Sequence, residues 1–132
     1  MTNTNLEEHY GSRVIEARII RDRLYLYLVH GVQLIVYDDG QSCCEHRYMT
    51  CDDDLSKLVG GLLVEISERD GPDAEAEYSE HEQKFVVVQT DIGGITLCTH
   101  NEHNGYYGGF SINVKANKVW QWETEKEDKD ES

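Results

Sequence analysis

Between Leu24 and Val29 the chain reads LYLYLV. This is a two-residue alternation that an extended strand divides into two faces, whereas a helix repeats every 3.6 residues. The same signature returns in residues 13–20, where Val14, Ala17 and Ile19 lie near one face, and in residues 33–37, 62–67, 85–90, 95–99 and 110–115. Turn signals separate these runs. Residues 21–23 join the first two, Asp38-Asp39-Gly40 ends the third, and Asp91–Gly94 folds residues 85–90 and 95–99 into a hairpin. The first three runs therefore predict an antiparallel meander. One segment departs from the pattern: Asp52, Asp53 and Asp54 precede Leu55, Leu58 and Val59, with Gly60 and Gly61 behind. Acids at the start and glycines at the end predict one short helix. The expected class is α+β, mainly antiparallel β with about seven strands and one short helix, in a single domain over residues 1–122.

The formal charge of −14 needs to be divided along the chain before it says anything. Residues 123–132 carry six acids and two lysines, residues 65–82 eight acids and one arginine, and Asp52–Asp54 the remaining excess. Everything else balances, so Arg13, Arg18, Arg21, Arg23 and Arg47 leave room for a compact anion to be bound locally. The acidic end is expected to be a disordered tail, and residues 70–82 a solvated polar loop. So negative a chain is poorly suited to sequence-independent binding of DNA or of an anionic bilayer, since both require Lys and Arg to displace counterions. No apolar run approaches the roughly 20 residues of a membrane-spanning helix. The start MTNTNLEEHY has neither the basic nor the apolar region of a signal peptide. A cytoplasmic location with reduced thiols is the expectation for Cys43, Cys44, Cys51 and Cys98.

Two polar blocks hold most of the unusual chemistry: QSCCEHRYMTCDDDL (residues 41–55) and THNEHNGYYGGF (residues 99–110). Each interrupts or follows a hydrophobic strand, the position from which loops usually present binding groups. Residues 41–51 read as a functional loop or a short strand, and residues 100–109 as an interruption. Three chemistries are open. Cys43, Cys44, His46, Cys51, His100 and His103 are zinc-ligand types, but adjacent cysteines point apart in extended chain and lack the usual knuckle spacing. A Cys44–His46 pair could generate a thiolate nucleophile, yet no oxyanion-hole motif accompanies it, and small thiols buried in a sheet are the plainer alternative.

The third chemistry is recognition of a small polar ligand such as a nucleotide. Tyr106, Tyr107 and Phe110 offer faces for stacking, while Asn101, Asn104, His46 and His103 offer hydrogen bonds. Gly105, Gly108 and Gly109 would let backbone amides approach a phosphate, and Arg47 would supply charge. The competing reading is a glycine-rich turn with two packing tyrosines. The candidate ligand-binding set is thus His46, Arg47, Asn101, His103, Asn104, Tyr106, Tyr107 and Phe110, with no catalytic residue, metal or cofactor.

The motifs Cys43-Cys44-Glu45, Asp52–Leu55 and His103-Asn104-Gly105-Tyr106-Tyr107 resemble those of a family of small bacteriophage and prophage proteins close to the first Thoeris anti-defence family. The resemblance spans roughly residues 13–115. It implies a sponge that binds, without degrading, the cyclic ADP-ribose isomers made by bacterial TIR proteins in the cytoplasm of the infected host. It further implies homodimers or hexamers with the ligand near the dimer interface, cyclic oligonucleotides held by some members between subunits, and Asn104 as the first residue to carry over. The acidic tail lies outside it. Deleting residues 123–132 is expected to change neither the melting temperature nor nucleotide affinity, because a charged segment without apolar periodicity has no core to join; thermal melts and calorimetry on the truncated chain check this.

Overall fold

The computed structural model describes residues 2–3, 6–40, 46–71, 81–102 and 109–118. The alternating runs form strands β1 (Thr2–Asn3), β2 (Val14–Ile20), β3 (Arg23–Leu28), β4 (Val32–Asp38), β5 (His46–Cys51), β6 (Leu63–Asp70), β7 (His81–Thr90), β8 (Gly94–Glu102) and β9 (Ile112–Lys118). They make a five-stranded sheet in the order β1-β9-β4-β3-β2 and a four-stranded sheet in the order β5-β8-β7-β6. All pairs are antiparallel except β1 with β9. The expected meander is β2-β3-β4, and the expected hairpin is β7-β8.

Alternation decides what each strand buries. In β3, Leu24, Leu26 and Leu28 enter the main core, while Tyr25 and Tyr27 join Ile35 in a smaller cluster on the opposite face. The main core draws Val14, Leu34, Val36, Ile112 and Val114 from the first sheet and Met49, Ile66, Val86, Val88, Ile95 and Leu97 from the second. One apolar interior is therefore shared by the inner faces of two sheets, as in a β-sandwich.

Backbone hydrogen bonds join the sheets at one end. Val14 N–H donates to Gly61 O at 2.8 Å, Gly60 N–H to Val14 O at 2.8 Å, Gly11 N–H to Leu63 O at 2.7 Å and Leu63 N–H to Ser12 O at 2.9 Å. Gly60 sits at φ +92°, a backbone region open to glycine at little cost. A Cβ on Gly61 would lie 2.6 Å from the Thr90 hydroxyl, so the close approach of the chain entering β6 to the end of β7 depends on its missing side chain.

Three sequence expectations change. The short helix is a single 3-10 turn, Leu55–Leu58, capped by Asp54, whose Oδ1 accepts from Ser56 N–H at 3.0 Å; Gly60 and Gly61 follow too soon for a further turn. A second 3-10 turn, Leu6–His9, buries Leu6. Strand pairing extends further than apolar patterning indicated: β6 reaches Asp70 in the expected polar loop, β7 begins at His81, and β8 continues through His100, Asn101 and Glu102. Ladder hydrogen bonds do not depend on side-chain polarity, so apolar patterning underestimates strand length. Residues 72–80 of that loop and the acidic tail lie outside the described residues. Among the described residues, no helix is long and apolar enough to cross a membrane.

Leu97 is fully buried at the centre of the shared core. Leu97→Ala is expected to cost about 2–5 kcal/mol through lost burial and the residual cavity, read as a lower urea midpoint at unchanged m-value.

Candidate functional site

Along β8 the inward positions run Ile95, Leu97, Thr99, Asn101, and all four are buried. The inner face thus changes from apolar to polar along one strand. The neighbouring strands change in step. In β5 the inward series runs from Met49 to Arg47, and in β7 from Val88 and Val86 to Lys84 and Glu82. Register places Arg47 opposite Asn101 and Glu82 opposite Asn101 from the other side. Arg47, Asn101 and Glu82 thereby form one row across three strands, at the end of the sandwich opposite the backbone-joined one.

Asp38, the last residue of β4, meets that row from the other sheet. Arg47 Nη1 donates to Asp38 Oδ1 at 3.0 Å and to Oδ2 at 2.8 Å, with both side chains only about one tenth exposed. Asp38 Oδ1 also accepts from Gly40 N–H and Ser111 N–H, each at 3.0 Å. One carboxylate therefore binds the residue just before the first polar block, an arginine within it and the backbone just after the second. The second block is closed by two further bonds: Asn101 Nδ2 donates to Gly109 O at 3.1 Å, and Gly109 N–H donates to Glu82 Oε1 at 2.8 Å. Gly109 holds φ +79°. A small cleft beside the pair is lined by Asp22, Asp38, Arg47, Tyr48, Met49 and Thr99. There Asp22 Oδ1 accepts from Met49 N–H at 3.2 Å and ties β5 to the first sheet a second time.

Of the sequence-predicted ligand set, Arg47 and Asn101 come together on this inner face. His46 does not, because it is adjacent to Arg47 in a strand and so faces outward. Phe110 is half-buried and packs against the main core. Gly109, expected to leave an amide open to phosphate, spends that amide on Glu82. Cys43, Cys44, Glu45, His103, Asn104, Gly105, Tyr106, Tyr107 and Gly108 lie outside the described residues. Sequence reasoning missed Asp38, read there only as part of a turn, and Glu82, read as part of an acidic loop.

The outer face of the four-stranded sheet carries His46, Tyr48 and Thr50 from β5, His100 and Glu102 from β8, and His81 from β7. The Tyr48 and His100 rings stack at 4.4 Å and 7°. Tyr48 Oη donates to the Glu102 carboxylate. That bond raises the tyrosine pKa and lowers that of the glutamate. Partial burial, then the neighbouring His81, lowers the pKa of His100.

Among the described residues, the zinc-ligand types separate. Cys51 faces inward at the apolar end, donating to Asp53 O at 3.5 Å and Thr96 O at 3.6 Å, whereas His46 and His100 face outward. Burial raises the thiol pKa of both Cys51 and Cys98, which keeps them protonated and poorly nucleophilic. Among the described residues, no three His, Cys, Asp or Glu side chains are grouped to hold a metal ion.

The family model DUF7448, a domain of unknown function, matches residues 7–113, and the chain belongs to that family. No curated protein and no solved structure matches it.

Removing one partner of a buried ion pair costs about 3–5 kcal/mol because the other charge stays desolvated. Asp38→Ala is expected to cost about that much, and adding Arg47→Met is expected to recover part of the loss. Urea unfolding of wild type, both single variants and the double variant measures the coupling.

Proposed function

We propose that this DUF7448 member is a sequestering protein of the phage anti-defence kind. It captures a cyclic ADP-ribose-type immune signal, or a related cyclic oligonucleotide, at the polar end of the sandwich and does not cleave it. The observation that carries this reading is the hydrogen bonding of Asp38, which gathers the margins of both polar blocks at one end of a rigid scaffold. The motifs that resemble the Thoeris anti-defence family lie in those same two blocks. Asn101 and Glu82 then fix the exit of the second block through Gly109.

Within this reading the residues divide their roles. Arg47 has its charge met by Asp38, so it positions the block margins and is not the direct counter-ion of a phosphate. Asn101 is likewise a positioning residue. The groups that meet the ligand come from residues 103–107: His103 and Asn104 by hydrogen bonding, Tyr106 and Tyr107 by stacking. Capture needs only binding energy, so no residue is assigned a bond-breaking role. The protein acts in the cytoplasm of the infected cell as a homodimer or hexamer and engages neither DNA nor membrane.

The test is to mix the purified protein with a panel of cyclic ADP-ribose isomers and cyclic di- and trinucleotides, then heat the complex and identify what is released. Intact ligand with stoichiometric binding is the expected result. Released product would make the protein an enzyme, and absence of binding across the panel would overturn the reading. Asn104→Ala and Tyr106→Ala should keep the wild-type melting temperature yet weaken capture, Tyr106→Ala by about 1–3 kcal/mol if one base stacks there. Light scattering with and without ligand reads the assembly state.

A further inference from the structure

Three of the six histidines in the chain, His46, His81 and His100, share the outer face of the four-stranded sheet, on the opposite face from the neighbouring row of Arg47, Asn101 and Glu82. In two of them ring nitrogens face each other: His81 Nε2 lies 3.0 Å from His100 Nδ1. The other nitrogen of His100, Nε2, lies 2.8 Å from Thr50 Oγ1. We propose that His81 Nε2 and His100 Nδ1 form a two-point chelating site for a borderline divalent cation of the Ni2+, Cu2+ and Zn2+ class, with the remaining coordination positions open to water or an exogenous ligand.

The separation of the nitrogens fits this use. Metal–imidazole bonds are about 2.0–2.1 Å long, so two nitrogens in cis positions at a right angle lie about 2.9 Å apart and at the tetrahedral angle about 3.4 Å. The observed 3.0 Å is close to the separation of a cis pair, which favours Ni2+ and Cu2+; the two rings, aimed at each other in the hydrogen-bonded pair, turn so that both lone pairs converge on a cation beside the N···N line.

Proton placement is also compatible. With Thr50 Oγ1 as acceptor, His100 is protonated on Nε2 and its Nδ1 lone pair points at His81. The His81 proton then sits on Nε2 and donates to that lone pair. Moving it to His81 Nδ1 leaves two neutral rings with facing lone pairs, and no net proton has to leave the protein. Thr50 thus plays the orienting part that a metal-bound imidazole normally finds in its second hydrogen bond. Glu102 is directly opposite His81 in the sheet register and adds a nearby negative charge.

Two protein ligands make an open, exchangeable site and not a closed structural one, in keeping with the lack of a three-ligand group among the described residues. The site rests on different residues from the proposed signal pocket, so each reading can fail without the other.

The probe is Ni2+ alone, titrated calorimetrically into the full chain at neutral pH with thiols kept reduced. One saturable site per chain is expected. His81→Gln and His100→Gln should each weaken it at least about tenfold, and Thr50→Val should weaken it about tenfold through His100. His9→Gln, remote in the fold, should leave it unchanged. As a readout that needs no variant, paramagnetic Ni2+ should broaden the amide resonances of Thr50, His81 and His100 in the wild-type protein ahead of all others. Absence of saturable binding, broadening centred elsewhere, or affinity that survives loss of both histidines would overturn the proposal.

Discussion

The bidentate contact between Arg47 and Asp38 is the constraint on which the polar end of the molecule depends. It joins a charged side chain of each sheet, and both partners are almost wholly withdrawn from water. Such a pair contributes little net stability by itself, because the desolvation of two ions offsets most of their attraction. Its effect is positional. Asp38 also accepts from the backbone N–H groups of Gly40 and Ser111, so one carboxylate ties the pair to the backbone that flanks both polar blocks. At the opposite end of the sandwich the backbone itself makes the join, Val14 with Gly60 and Gly61, and Leu63 with Gly11 and Ser12.

The four-stranded sheet uses its two faces for different chemistry, and the pleat requires that it do so. Arg47, Asn101 and Glu82 point inward; their immediate neighbours His46, His100, Glu102 and His81 point outward. Inward polar groups in a β-sandwich must find partners or incur a desolvation cost. Asn101 meets Gly109 O, Glu82 meets Gly109 N–H, and the Thr99 hydroxyl donates to Lys84 O at 2.7 Å. The outward groups meet one another and solvent. A single sheet thereby holds a scaffold for loops on one side and a histidine surface on the other.

The strand alternation, the meander, the β7-β8 hairpin and the predominance of antiparallel β were legible in the sequence, because period-two burial is a local property that each run carries by itself. Asp54 followed by Leu55 and then paired glycines predicted a short helix where a single capped 3-10 turn forms. The candidate site was legible only in part. Arg47 and Asn101 stood out as polar residues in strand-flanking blocks, and they do share a face. Asp38 and Glu82 did not stand out, since nothing local distinguishes a carboxylate that caps a turn from one that receives an arginine from a different sheet.

By itself, then, the sequence determined which residues alternate, where the chain reverses and which segments concentrate charge or polar chemistry. Only the tertiary structure decided that His46 and Arg47, adjacent in the chain, serve opposite faces, and that His81 and His100, 19 residues apart, meet ring to ring. It also decided that residues 40, 47 and 111 share the Asp38 carboxylate. The physical reason is that local pattern fixes the direction of a side chain relative to its own strand, whereas its partner is fixed by strand register and by which sheet lies opposite, and both of these emerge only when the whole core is packed.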